Sequence, residues 1–134
     1  MNQPPLFVYG SLLSDDVVEL VIGRVAQSEV AVLSDFACYY VAGVTFPGII
    51  HQAGAKTEGR LLLELQEHEI QALDQYEDTF YQRIDVQVRT RSRVEEAMAY
   101  VVPEVHHEVM SDQHWTWKEF QRLHLTDYVA RMRG

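Results

Sequence analysis

With a single cysteine, Cys38, among 134 residues, the chain has no means of forming an internal disulfide. The setting Phe36-Ala37-Cys38-Tyr39-Tyr40 reads as a core thiol in a reducing compartment. Basic residues are scarce: 11 Lys and Arg against 20 Asp and Glu leave a formal charge of −9. Affinity for a phosphate backbone comes from clustered Lys and Arg, so this balance argues against nucleic acid as a partner. No apolar run reaches the ~18 residues of a membrane span, and no cationic start leads into an apolar segment, so neither a span nor a signal peptide is expected. The expected location is cytoplasmic. Ligand spacing is missing too: His106 and His107 are neighbours whose side chains diverge in an extended chain, and His114 and His124 have no Cys or His partner at metal-site distance. Neither a metal nor a cofactor is expected, and the ligand should be a small molecule.

What is present is a core. Hydrophobic residues make up 47% of the chain and aromatics 10%, a composition that packs, and the length suits one domain over 1–134. Leu6 to Tyr9 is an apolar strand. Ser14, followed by Asp15 and Asp16, has the form of a helix N-cap, and Gly23 of a stop, which predicts a helix over about Asp15 to Ile22. Strands follow near Glu29 to Leu33 and Phe36 to Val44. Pro47 marks an edge, bulge or turn, and Gln52 to Lys56 reads as a turn. Gly59 to Leu65 reads as a buried strand, Glu67 to Tyr76 as a helix, and Ile84, Val86 and Val88 as one face of a half-solvated strand. Arg89 to Glu96 reads as a polar hairpin connection leading to a strand over Ala97 to Val102. Thr116 and Glu119 have capping-box spacing ahead of a C-terminal helix at about 116–132, on which Trp117, Phe120, His124 and Tyr128 share a face. That order gives an α+β domain.

Two segments carry chemistry. Tyr9-Gly10-Ser11-Leu12 places a glycine directly after a strand, and it reads either as a plain turn or as a nest of backbone N–H groups that holds a carboxylate or an oxyanion. Ser11 fails the nucleophile-elbow pattern, because Leu13 stands where that motif needs glycine, and so reads as a binding hydroxyl. In the second segment Ile70, Leu73 and Glu77 fall at i, i+3 and i+7, which sets an acid on or beside the core-seeking face. Glu77 is either a solvated acid in a last helical turn or a desolvated carboxyl that takes and returns protons, with Asp74 adding like-charge repulsion. Asp78 is expected to face solvent. The C-terminal aromatics read as core or as a binding wall.

Taken together, Val8-Tyr9-Gly10-Ser11-Leu12, Phe46-Pro47-Gly48-Ile49, Gly59-Arg60-Leu61, Leu73-Asp74-Gln75-Tyr76-Glu77 and Tyr81-Gln82-Arg83 resemble the γ-glutamylcyclotransferase-like superfamily. Trp115-Thr116-Trp117-Lys118-Glu119-Phe120 with His124-Leu125 and Tyr128-Val129 resembles its plant avirulence-induced branch and bacterial relatives. The resemblance implies a small mixed, mostly antiparallel β-barrel flanked by helices. It also implies an activity, the cyclisation of a γ-glutamyl amine or γ-glutamyl amino acid to 5-oxoproline with release of the amine. Tyr9, Gly10, Ser11 and Leu12 would hold the glutamyl moiety, Tyr81 would line the pocket, and Glu77 would transfer the proton. Where some members have glycine after that Glu, this chain has Asp78, which adds local negative charge. A non-catalytic module binding a small metabolite, or a stress-associated interaction domain, is the alternative on the same fold.

Overall fold

The computed structural model describes residues 3–134. Six strands, β1 (Leu6–Val8), β2 (Ser28–Val41), β3 (Pro47–Leu62), β4 (Gln82–Arg89), β5 (Val94–Val101) and β6 (Met110–His114), lie in the order β3-β1-β5-β4-β2-β6. β3 also pairs with β2, so the first five close into a barrel and β6 extends β2 outside it. Pairing is antiparallel except between β1 and β5. This is the mixed barrel that the sequence resemblance implies.

The strands shared by both layers are apolar on both faces, and the two-residue period sorts their side chains. Phe7 of β1, Leu61 of β3 and Ala97, Ala99 and Val101 of β5 fill one core. Leu6 and Val8, Leu62, and Met98 and Tyr100 fill a second, against the helices α1 (Asp15–Ile22), α2 (Glu67–Glu77) and α4 (Leu125–Arg133). Gly59 makes the barrel's tightest approach: a Cβ there would lie 2.1 Å from the Val8 carbonyl oxygen and 2.8 Å from Phe7 Cζ.

Local signals hold where they are strong. Ser14 Oγ accepts the Val17 N–H, and Gly23 ends α1 at φ 87°. Elsewhere tertiary pairing redraws the boundaries. The two strands expected at 29–33 and 36–44 are one, β2, bent at Asp35 (φ 67°). The turn expected at Gln52 to Lys56 is a bulged excursion inside β3. Register passes from Ser34↔Lys56 to Phe36↔His51, leaving residues 52–55 opposite Asp35, whose Oδ1 accepts the Gly54 N–H at 3.0 Å. The polar connection expected over Arg89 to Glu96 shrinks to residues 90–93, because Val94, Glu95 and Glu96 pair with Arg89, Val88 and Gln87. The C-terminal helix is two helices, α3 (Trp117–Leu123) and α4, broken at His124. Thr116 caps α3, but the capping box is not completed: Glu119 instead accepts from Tyr40 Oη at 2.5 Å. Trp115 and Phe120 are core, and Trp115 Nε1 donates to the Thr45 carbonyl.

Candidate functional site

β1 ends at Val8, where the barrel and the helical layer meet, and the chain turns through Gly10 into a 3₁₀ turn, Ser11–Leu13. Gly10 is favoured there by close approach: a Cβ would lie 2.9 Å from Pro47 Cγ. Leu13 and Ser14 donate back to the Gly10 and Ser11 carbonyls. The N–H groups of Ser11 and Leu12 form no turn hydrogen bond among the described residues, as the start of a helical turn leaves its first donors open. Across from them stands the last turn of α2. Between the two lies a cavity of about 280 Å³, and Tyr9, Gly10, Ser11, Leu12, Glu77 and Tyr81 all line it. Phe46, Pro47, Tyr76, Asp78, Phe80, Tyr100 and Tyr128 complete most of its wall.

Burial pushes the Glu77 carboxyl up to about 8. Its place in the last turn of α2, at the negative end of the helix dipole, acts in the same direction. Its side chain forms no hydrogen bond or ion pair among the described residues. Asp74, expected to repel it, does not contribute to the shift. That carboxylate is paired, accepting from Tyr100 Oη at 2.6 Å and from Arg83 at 2.9 and 3.1 Å. Asp78 does not contribute either. It is exposed and accepts the Thr79 N–H at 2.7 Å, and its backbone sits at φ 63°, ψ −173°, a conformation that favours glycine.

Two phenols beside this acid, Tyr9 and Tyr81, are held protonated. Burial raises the Tyr9 hydroxyl well above its ordinary value, with the neighbouring Tyr81 and Glu77 adding to it, and Tyr9 donates to the Tyr100 carbonyl at 2.7 Å. Burial also raises Tyr81, again reinforced by Glu77, and Tyr81 donates to the Pro47 carbonyl at 2.5 Å. The same proline therefore backs Gly10 and anchors Tyr81. Among the described residues no Lys or Arg lines the cavity, and no group of His, Cys, Asp and Glu there could hold a metal. The charged groups of the wall are Glu77 and, at its exposed edge, Asp78.

Sequence reasoning missed the hydroxyl neighbours. Ser11 Oγ lies 2.6 Å from Tyr76 Oη, which bonds in turn to Tyr128 Oη. Tyr76 carried a signal, since it precedes Glu77 directly. Tyr128 carried one as well, since it is among the C-terminal aromatics read as core or as a binding wall, and it lines the cavity; only its bond to Tyr76 was hidden.

Fold and cavity together define a small mixed barrel with an unpaired acid, Glu77, in a tyrosine-lined pocket at the end of its first strand. The comparisons with known proteins make that definition specific. The sequence model of the family described as "Gamma-glutamyl cyclotransferase, AIG2-like" matches residues 6–119, and the chain belongs to this family. It is 32% identical over 126 residues to AIG2-like protein D of Arabidopsis thaliana, covering 92% of this chain and 83% of that one. The solution structure of an Arabidopsis thaliana protein matches with a TM-score of 0.76 at 25% identity, over 99% of this chain and 83% of that one. A solved gamma-glutamyl cyclotransferase shares the fold, with a TM-score of 0.65 at 18% identity, over 98% of this chain and 86% of that one.

Proposed function

We propose that the protein is a γ-glutamyl cyclotransferase that closes the γ-glutamyl group of an amine or amino-acid conjugate into 5-oxoproline and releases the amine. The observation that carries this reading is a carboxyl without a protein partner, pushed up to about 8, in the same small cavity that Ser11 and Leu12 line, two residues whose N–H groups form no turn hydrogen bond among the described residues. A buried acid with no partner is costly in a purely structural role. It is useful where a proton must be taken up and given back.

The substrate brings its own nucleophile. Its α-amine attacks the γ-carbonyl carbon, the new C–N bond closes a five-membered ring, and the old amide C–N bond breaks. The amine arrives as an ammonium with an ordinary pKa of about 8, close to that of Glu77, so the carboxylate takes its proton at little cost. The same carboxyl then returns that proton to the departing nitrogen, takes the second proton that the ring nitrogen must lose to become a lactam N–H, and passes it to the freed amine, which leaves as an ammonium with the site regenerated. The N–H groups of Ser11 and Leu12 and the Ser11 hydroxyl are the donors for the substrate carboxylate or the tetrahedral oxyanion. Tyr9 and Tyr81 wall the chain into a near-attack fold, a restraint worth roughly 7–11 kcal/mol when well aligned. The cavity lies at the small end of ligand pockets, which suits a glutamyl group with a short leaving group. A cytoplasmic setting belongs to this reading, supported by the lone cysteine.

The test is 5-oxoproline release from a panel of γ-glutamyl amines and γ-glutamyl amino acids. Glu77→Gln should lower kcat by about 100-fold or more while the far-ultraviolet circular dichroism is unchanged. Tight binding with no product from any of them would replace this reading with the metabolite-binding one.

A further inference from the structure

Three hydroxyl groups from distant parts of the chain meet on one wall of the cavity. Ser11 Oγ is 2.6 Å from Tyr76 Oη, and Tyr76 Oη is bonded to Tyr128 Oη. The first belongs to the turn after β1, the second to the last turn of α2 and the third to α4. The reaction outlined above makes no use of either tyrosine, and Tyr128 lies beyond the residues 6–119 that define the family match.

The proton count decides what such a row can do. Each hydroxyl brings one proton, and two hydrogen bonds join the three, so one proton remains. It sits on Ser11, directed at the ligand, on Tyr128, or on Tyr76 when Tyr76 accepts from both neighbours. An anion beside Ser11 selects the first arrangement, in which Tyr128 donates to Tyr76, Tyr76 to Ser11, and Ser11 to the anion. Each donation then strengthens the next by about 10–30%. Burial raises the Tyr76 phenol far above its ordinary value, so that proton is not lost at any working pH. The lack of Lys or Arg in the wall makes this arrangement matter, because a ligand carboxylate there must be met by neutral donors.

We infer that Tyr76 and Tyr128 are positioning residues that hold the Ser11 hydroxyl as a donor toward the carboxylate of the ligand, so that α4 completes the binding site. The inference rests on the γ-glutamyl reading for the ligand's class, an α-amino carboxylate or its cyclised product. It assigns neither tyrosine to the chemical step.

The experiment is an NMR titration of the full chain with 5-oxoproline and, in parallel, with 2-pyrrolidinone, the same ring without the carboxylate. Ser11→Ala and Tyr76→Phe should each weaken 5-oxoproline by about tenfold, the scale of one hydrogen bond to a charged group. Tyr128→Phe should weaken it by about threefold, the smaller effect of shortening the row. The double variant Ser11→Ala/Tyr76→Phe should lose no more than the larger single one, and 2-pyrrolidinone should bind all variants alike. A merely structural tyrosine would move both ligands together or neither, and either outcome overturns the inference. So does the absence of carboxylate-dependent binding to the unmodified protein. Turnover is measured separately. Carboxylate binding that follows this pattern in a protein releasing no 5-oxoproline would overturn the cyclotransferase reading and leave the hydroxyl row standing.

Discussion

Glu77 works against the stability of the molecule that carries it. Its carboxyl titrates near 8 when folded and near 4.3 when unfolded, so between those values the folded state holds a proton that the unfolded state has released. Stability therefore falls as pH rises through that window and levels off above it. Glu77→Gln removes the slope. The variant should come within about 1 kcal/mol of the parent near pH 5 and exceed it by roughly 2–4 kcal/mol above pH 8, allowing for the cavity's access to solvent. Urea titrations at pH 5 and pH 9 check this, and parallel curves at both pH values would contradict it. The same titration governs turnover under the proposed mechanism. The logarithm of kcat/KM should rise with pH up to about 8, then decline at higher pH as the leaving nitrogen loses its acid. Asp78 is a second residue-scale case. Held at φ 63°, ψ −173°, it stores on the order of 1–3 kcal/mol of backbone strain. Asp78→Gly should raise the midpoint of thermal unfolding and leave the Glu77 titration in place, because Asp78 does not contribute to it.

Between elements, the joints are made by residues far apart in sequence. Arg24, just after α1, donates through Nε and Nη2 to Glu69 in the first turn of α2, at 2.7 and 2.8 Å, and through Nη2 to the Glu64 carbonyl at 3.1 Å. Glu69 also accepts the Gln66 N–H, closing a capping box, and the Arg24 guanidinium holds its carboxyl below the usual range. Arg24→Ala leaves a buried carboxylate with one donor and should cost about 1–3 kcal/mol at pH 7. The deficit should shrink as acid protonates Glu69, and chemical denaturation at pH 7 and pH 3.5 reads the difference. Gly59→Ala should be harsher, about 3 kcal/mol or more, since the new methyl meets backbone rather than a side chain that can turn aside. These joints also mark how far the sequence is legible. Ser14 and Gly23 announce α1 because caps act within a few residues. Glu77 announces itself because a carboxyl at i+7 from Ile70 breaks an apolar stripe. The Arg24–Glu69 pair and the Ser11–Tyr76–Tyr128 row span 45, 65 and 52 residues, and no local pattern encodes separations of that kind. Asp35 was hidden for another reason: a bend paired with a four-residue excursion reads locally as two strands and a turn.

Over the whole molecule, two cores share the strands β1, β3 and β5, and that sharing should set the order in which backbone amides open. The slowest hydrogen exchange is expected in Phe7, Leu61 and Ala99, paired on the sheet and sealed from both sides. Residues 52–54, exposed and opposite a single residue of β2, should exchange fastest within β3. Equal protection along β3 would mean that the excursion is not a weak point. Among the described residues no helix is long and apolar enough to cross a membrane, and the charge of −9 surrounds a cavity whose wall holds no cation. Ligand carboxylates must then enter against the overall field. Added salt should speed that entry by screening, which stopped-flow binding at two ionic strengths would show.

The seating of β1 between β3 and β5 has a consequence for synthesis. The segment that leaves the ribosome near the beginning gains its second neighbour only when residues beyond Val94 have emerged. Until then a nascent chain carries an apolar ribbon bonded along one side, with its turn and the acid of α2 already made but no enclosed barrel behind them. Ring closure of the sheet is thus a late event by construction, and a chain arrested before β5 would be a substrate for chaperones rather than a smaller version of the folded protein.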